Sequence, residues 1–193
     1  MFGLKLATDP RWVNLAEKSI EDILTDHAYC EQKAASNAIS IIQGYHEYDE
    51  VIEALMPLVS EEWGHFKMVI DQLKKRNLKL GRQRKDVYVN ELWKFVINGR
   101  DRNDSLVEKL LFSAMIEARS CERFRLLSKD ISDDELKNFY KNLMVSEAGH
   151  YRLYIDLASN IWGRDRVNAR WEEWLKKEAE IMESIALRGD RMH

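Results

Sequence analysis

The chain has 193 residues, 45% of them hydrophobic, and its 30 basic and 33 acidic side chains give a net charge of −3. This size and apolar content allow a buried core and exclude a disordered tail, and the near balance of charge excludes a protein that is basic throughout. Two cysteines without zinc-ligand spacing exclude a disulfide scaffold, and the lack of a signal-length or membrane-spanning apolar segment predicts a cytoplasmic protein with no membrane partner.

Helices are predicted along the whole chain, because two prolines and eight glycines leave few turn signals and apolar residues recur at helical spacing. After an opening turn at Asp9-Pro10, a first long helix is expected over about 19–43, ended by Gly44. A second is expected over about 49–76 with Pro57 inside it. A charged linker follows, and then a shorter helix over about 86–98.

Two capping-box patterns, Ser105-x-x-Glu108 and Ser132-x-x-Glu135, predict the starts of the third and fourth long helices. The third is expected to reach about residue 129 and the fourth about residue 162, where Gly163 ends it. A last amphipathic helix is expected over about 166–186. Four long helices with accessory ones predict an all-α protein, a four-helix bundle with a crossover connection, formed by a single domain over residues 1–193.

The two halves of the chain repeat one motif. Glu62-x-x-His65 recurs as Glu147-x-x-His150 at an offset of 85 residues, and upstream Ala28-x-x-Glu31 recurs as Ala114-x-x-Glu117 at an offset of 86. The chain therefore contains the same helical hairpin twice, over about 19–76 and about 105–162. Each copy supplies one glutamate and, about thirty residues later, a Glu-x-x-His pair.

This spacing is typical of a metal site. Residues three apart on a helix project from one face, so each Glu-x-x-His pair can offer a carboxylate and an imidazole to one metal ion. Burying several carboxylates together is prohibitive unless cations neutralise them. Carboxylate and imidazole ligands without thiolate favour iron or manganese over zinc.

Each feature also has a less specific interpretation. A single Glu-x-x-His on a helix usually belongs to a solvated face, whereas two copies in phase favour a metal site. Glu122 is the main rival of Glu117, but five residues rotate it by about 140° from that position. We prefer Glu117 for this reason. His27, one turn before Glu31, is expected to support the site rather than to bind metal.

With these motifs in place, the sequence resembles the ferritin-like di-iron carboxylate proteins. Within that superfamily it is similar to the tRNA 2-methylthio-N6-isopentenyl-adenosine hydroxylase family in size and motif order over nearly the whole chain. The matching segments are His27–Ala35, Glu61–Phe66, Ile116–Phe124 and Ser146–Tyr151.

The resemblance implies a ferritin-like bundle and a non-haem di-iron monooxygenase that hydroxylates the isopentenyl group of the modified adenosine beside the anticodon of tRNA. Its cofactors would be two iron ions, as Fe2+ or Fe3+, with O2 as co-substrate. Glu62 and Glu147 would bridge the irons. The full ligand set, catalytic through the metals, would be Glu31, Glu62, His65, Glu117, Glu147 and His150.

Two kinds of partner are expected. A monooxygenase needs external electrons, and the sequence has no flavin, nicotinamide or iron–sulfur motif, so a separate reductase or electron carrier is implied. The anticodon loop of tRNA is the other partner. Residues 74–85 support it with seven basic side chains and no acidic one, of which Arg82, Arg84 and Lys85 are candidate phosphate contacts. A solvated loop explains these charges equally well.

Phe66 and Tyr140 are candidates to line the path of the prenyl group. Two other functions compete with the hydroxylase: a di-iron ferroxidase or peroxidase bundle, and a non-catalytic helical protein whose repeat is a structural relic. The iron content of the purified protein would separate the last of these from the two enzymes.

Overall fold

The structure is a computed structural model that describes residues 1–97 and 101–193. Within these residues it contains seven helices and no strand, so the predicted all-α class is confirmed, and none of these helices has the length and hydropathy to cross a membrane. The helices are α1 (Arg11–Glu17), α2 (Ile20–Gly44), α3 (Asp49–Lys75), α4 (Val87–Trp93), α5 (Arg102–Asp130), α6 (Asp134–Trp162) and α7 (Arg164–Ser184).

The chain divides into two compact units. The α2–α3 unit comprises residues 11–85 and 188–192, and the α5–α6 unit comprises residues 1–10, the described part of 86–187, and 193. Each unit has one long helical hairpin as its centre. The two predicted copies of the repeat therefore fall in different units.

In the α2–α3 unit, the hairpin closes over two apolar stripes at helical spacing. The stripe of α2 contains Leu24, Ala28, Ala35, Ala38 and Ile41, and that of α3 contains Leu55, Leu58, Val69 and Leu73, all of them buried. Small alanines on α2 facing larger residues allow close approach of the two helices. The hairpin therefore presents the residues of one face of each helix to a common interior.

In the α5–α6 unit, α5 packs against α6 and also contacts α4 and α7. It buries charged residues as well as apolar ones, because accessory elements supply their partners. Arg170 of α7, for example, donates from Nε to Glu108 Oε1 at 2.7 Å, and both side chains are buried.

Two short elements differ from the predictions. Asp9-Pro10 precedes a helix, α1, that the sequence did not predict, because seven residues are too few for a periodic signal. It is stabilised by burying Trp12, Val13 and Ala16. The helix expected over about 86–98 ends at Trp93, so it is shorter than predicted; its expected last residue, Asn98, lies outside the described residues.

Both predicted capping boxes are wrong. Helix α5 begins three residues earlier, where the Asp101 carboxylate accepts from Asp104 N at 2.8 Å. Helix α6 is capped by Asp133, which accepts from Leu136 N at 3.0 Å, instead of by Ser132. In both cases an aspartate satisfies the free amides at the helix start in place of the serine.

The predicted end of α6 at Gly163 is confirmed. This residue has φ 83°, a left-handed conformation that glycine adopts without steric cost, and its N–H donates to Ser159 O at 2.8 Å. The final helix runs over Arg164–Ser184 and so begins and ends two residues earlier than predicted.

Candidate metal centre

Glu31 of α2 lies beside Glu62 and His65 of α3 in the interior of the α2–α3 unit. All three side chains are buried, and each offers a ligand atom within 4.8 Å of those of the other two. His65 Nδ1 is 3.5 Å from Glu31 Oε2 and 3.6 Å from Glu62 Oε2. The spacing of three residues thus places the carboxylate and the imidazole of α3 together, as predicted from the helical period.

The groups around Glu31 and His65 shift their pKa values in opposite directions. Burial alone would raise the pKa of Glu31, but the charge and hydrogen bond of His27, with the neighbouring His65 ring, hold it well below its usual range. Burial would lower the pKa of His65, yet the neighbouring Glu31 and Glu62 carboxylates raise it to about 10. A proton on His65 therefore balances carboxylate charge that a bound cation would otherwise neutralise.

His27 supports Glu31 from one turn earlier on α2. Its ring is fully buried, and its Nε2 lies 2.6 Å from Glu31 Oε1. The second copy of the motif has Ser113 at this position, whose hydroxyl donates to Lys109 O instead. The repeat is therefore asymmetric, because a histidine lies one turn before Glu31 and a serine lies one turn before Glu117.

The α5–α6 unit contains the second triad. Glu117 of α5 and Glu147 and His150 of α6 are buried, with ligand atoms all within 4.8 Å of one another. The Ser146 hydroxyl lies 3.5 Å from His150 Nε2.

In the other unit, the side chain four residues before the histidine is also near the ring: Glu61 Oε1 lies 3.9 Å from His65 Nε2. Glu61 and Ser146 occupy the same position of the repeat, four residues before the histidine. Their polar side chains therefore lie on the same side of the two imidazole rings.

Glu122, the rival of Glu117, is engaged elsewhere. Its carboxylate accepts from Thr8 Oγ1 at 2.6 Å, from Thr8 N at 3.1 Å and from Arg119 Nη1 at 3.1 Å. These bonds hold Glu122 against the N-terminal segment. Glu117 is the α5 carboxylate that lies with Glu147 and His150.

The two predicted lining residues have different environments. Tyr140 is fully buried, and its ring lies 5.3 Å from that of Phe124. Phe66 is only half-buried and stacks on Trp63, an exposed residue that the sequence analysis had not singled out.

The three candidate phosphate contacts also differ. Arg82 and Lys85 are exposed. Arg84 Nη1 pairs with Asp190 Oδ2 at 2.9 Å and with Asp22 Oδ1 at 3.3 Å. This guanidinium is therefore engaged in ion pairs within the α2–α3 unit. Of the three, Arg82 and Lys85 have the charges that face solvent.

Cys121 provides a chemical probe of the interior near Glu117. Its Sγ donates to Met144 O at 3.2 Å, and burial together with the Glu117 charge raises the pKa of its thiol to about 12. At pH 8 we expect the half-buried Cys30 to be alkylated faster than the buried Cys121, since the thiolate is the nucleophile and burial disfavours it at Cys121. Peptide mass spectrometry after iodoacetamide treatment, with and without denaturant, measures this difference; equal labelling of both cysteines in the native protein would contradict it.

The donor set fits divalent cations of the iron or manganese type. Each triad combines two carboxylates with one imidazole, contains no thiolate, and is buried where uncompensated carboxylates would be costly. Both triads are therefore compatible with a metal site.

Two helical hairpins, each with a buried glutamate and a Glu-x-x-His pair, define the class of ferritin-like helical bundles. A solved structure of this class, "Protein 43 with aldehyde deformylating oxygenase activity from Synechococcus", is 32% identical, covers 98% of this chain and 94% of its own, and has a TM-score of 0.92. The chain belongs to the tRNA-(MS[2]IO[6]A)-hydroxylase (MiaE) family, whose model matches residues 2–193.

Two curated relatives have the same name, tRNA 2-(methylsulfanyl)-N(6)-isopentenyladenosine(37) hydroxylase. The protein from Pseudomonas putida is 36% identical over 92% of this chain and 85% of its own length. The protein from Salmonella typhimurium is 27% identical over 93% of this chain and 83% of its own length. The family predicted from the sequence motifs is confirmed.

Proposed function

We propose that this protein hydroxylates the isopentenyl group of (2-methylthio-)N6-isopentenyladenosine next to the anticodon of tRNA, using two iron ions, O2 and external electrons. The observation that carries the proposal is the pair of buried Glu/Glu-x-x-His triads in a chain that belongs to a hydroxylase family. The names of the two relatives supply the substrate. Since tRNA is the substrate, the cytoplasm is the proposed place of action.

In this proposal, Glu31, Glu62 and His65 would hold one iron ion, and Glu117, Glu147 and His150 would hold the second. The family resemblance implies that Glu62 and Glu147 would be the carboxylates shared by both ions. The iron pair, when bound, would supply the O2 chemistry that oxidises a C–H bond of the isopentenyl group.

The surrounding residues set the conditions for this chemistry. Burial of the ligands excludes bulk water and keeps their charges directed at the metals. The hydrogen bond between the His27 imidazole and Glu31 would orient this carboxylate, and the Ser146 hydroxyl would orient the His150 ring from its Nε2 side.

An electron donor follows from the balance of the reaction. Insertion of one oxygen atom into a C–H bond leaves the second atom of O2 to be reduced to water, which takes two electrons and two protons. The sequence has no flavin, nicotinamide or iron–sulfur motif that would deliver these electrons. We therefore propose a separate reductase or electron carrier as partner.

The decisive experiment uses the protein reconstituted anaerobically with ferrous iron. It is incubated with prenylated tRNA, O2 and a chemical electron donor, and the nucleosides are then analysed by mass spectrometry. We expect the prenylated nucleoside to gain one oxygen atom. An unchanged nucleoside in the presence of about two bound irons would instead indicate a ferroxidase or peroxidase, and a failure to bind iron would indicate a binding protein.

A second candidate activity comes from the structural comparison. The similar bundle from Synechococcus is named for aldehyde deformylating oxygenase activity and is 32% identical to this chain. We therefore include a long-chain aldehyde as a parallel substrate in the same assay. If the aldehyde is converted into a product one carbon shorter while the tRNA is unchanged, the deformylating activity replaces the hydroxylase proposal.

The exposed part of the basic segment supplies a test of RNA binding. Replacing Arg82 and Lys85 by serine is expected to weaken binding of tRNA and to reduce the slope of log K against log salt by about 0.7 for each phosphate that the variant no longer neutralises. Lys137→Ser is the control, because this lysine pairs with Asp134 in α6. Filter binding over a salt series measures both quantities, and an unaltered slope in the double variant would exclude this segment from phosphate binding.

A further inference from the structure

An aromatic pair lies uncovered on α3 beside the candidate ligands. Trp63 directly follows Glu62 and is 43% exposed, and Phe66 directly follows His65 and is half-buried. Their rings stack with centroids 4.8 Å apart and an interplanar angle of 21°. The pair therefore presents a flat, preformed apolar face that a planar ligand can cover.

Gly64, between these two residues, keeps the neighbouring surface open. A Cβ at this position would meet no atom within 4 Å, so packing within the chain does not require glycine there. Glycine inside a helix is destabilising relative to alanine. Gly149 at the matching position of α6 likewise has no atom within 4 Å, so Gly64 leaves the surface beside Trp63 open without by itself indicating a ligand.

The second copy of the motif has a different aromatic environment. Tyr151 occupies the position of Phe66 in the repeat and is also half-buried, but its ring lies 4.2 Å from Phe2 and 5.6 Å from Trp171. Ala148 occupies the position of Trp63. On α6 the aromatic residue therefore packs against rings of the same unit, whereas on α3 the exposed Trp63 adds aromatic surface that faces solvent.

From Trp63 towards the C-terminal end of α3, the charges on the same side of the helix are basic. At about 100° per residue, Lys67 and Lys74 fall within about 40° of Trp63 around the helix, and both are exposed. Lys74 pairs with Asp71 at 3.6 Å, but both side chains are largely solvated, so exchange for another anion costs little. The basic segment 74–85 continues from the same end of α3.

We propose that the Trp63/Phe66 pair stacks on a nucleobase of the tRNA anticodon loop that flanks the target adenosine, while Lys67 and Lys74 contact the adjacent phosphates. Aromatic faces next to lysines are the combination with which proteins bind unpaired nucleotides, and such stacking tolerates any base. The inference rests on the proposed function and identifies part of its RNA-binding surface. In this arrangement Trp63 binds the anticodon loop, and the buried triads hold the metal ions that carry out the reaction.

The test compares three variants of the iron-loaded protein for binding of an anticodon stem-loop RNA by fluorescence anisotropy. Trp63→Ala is expected to raise the Kd by about 5- to 100-fold, because the stacking of one base is removed. Trp63→Phe should stay within about threefold of the wild type, since it preserves an aromatic face. Trp93→Ala is the matched control, because Trp93 is 48% exposed but packs edge-on against Phe112 in the other unit.

Four further readouts separate stacking from other roles: the salt slope of binding, the iron content, turnover at saturating RNA and sedimentation. Trp63→Ala should leave the salt slope of binding and the iron content unchanged, whereas Lys67→Ala should reduce the slope. Equal RNA affinity of Trp63→Ala and wild type would overturn the proposal. If affinity is equal but turnover at saturating RNA falls, the surface binds the electron donor; if sedimentation changes, it binds a second copy.

The proposal and the function on which it rests fail in different ways. If the wild-type protein does not bind the RNA at all, the proposed function is wrong. If the wild type binds and hydroxylates and Trp63→Ala does so with the same Kd, only the stacking surface is wrong.

Discussion

Replacing Glu62 by alanine is expected to abolish hydroxylation and to lower the iron content from about two ions per chain to less than one. Glu62 is fully buried, lies 3.6 Å from His65 Nδ1 and is one of the two proposed bridging ligands. Metal ions contribute several kcal/mol to the stabilisation of a transition state, so the rate should fall by about a thousandfold or more. Iron analysis and the nucleoside assay measure the two effects separately.

Asp71→Asn is the matched control for this prediction. It removes a carboxylate from the same helix, but this side chain is 64% exposed and pairs with Lys74 at the surface. Iron content and rate should both stay near those of the wild type. A Glu62→Ala protein that still binds two irons and hydroxylates tRNA would show that the carboxylate is not a ligand.

Replacing Arg119 by methionine is expected to lower the free energy of unfolding by about 3–5 kcal/mol, because it leaves buried carboxylates without their cation. Arg119 is fully buried, and its Nε donates to Glu178 Oε1 at 2.8 Å and its Nη1 to Glu122 Oε2 at 3.1 Å. It also donates from Nη2 to Leu6 O at 2.9 Å. Urea unfolding followed by circular dichroism measures the decrease.

A second substitution distinguishes charge from packing. Adding Glu178→Gln to Arg119→Met removes one of the uncompensated charges and should recover part of the stability. Lys177→Ala, which breaks an exposed pair with Glu180, should cost less than about 1 kcal/mol. If Arg119→Met is no more destabilising than Lys177→Ala, the buried ion pair does not stabilise the unit.

Local spacing predicted the long helices, and it placed the six candidate ligands on faces where the structure groups their side chains. In a helix, sequence separation translates directly into direction around the axis, so a Glu-x-x-His pair and a glutamate within an apolar stripe indicate their faces without any tertiary information. Internal repetition strengthened this prediction, since each half of the chain served as a comparison for the other. The helix starts were predicted less accurately, because a cap depends on a single side chain. Asp101 and Asp133 accept the hydrogen bonds that were expected for Ser105 and Ser132.

The sequence by itself thus determined the helical class, the duplicated hairpin and the set of carboxylates and imidazoles, because all of these follow from short-range periodicity. Only the tertiary structure decided which charged and aromatic residues were already engaged. Glu122 is bound by Thr8, 114 residues away, and Arg84 by Asp190, 106 residues away. Trp63, by contrast, remains exposed while its counterpart in the repeat carries no aromatic ring. Such pairings join segments with no local relation, so no period or motif in the sequence encodes them.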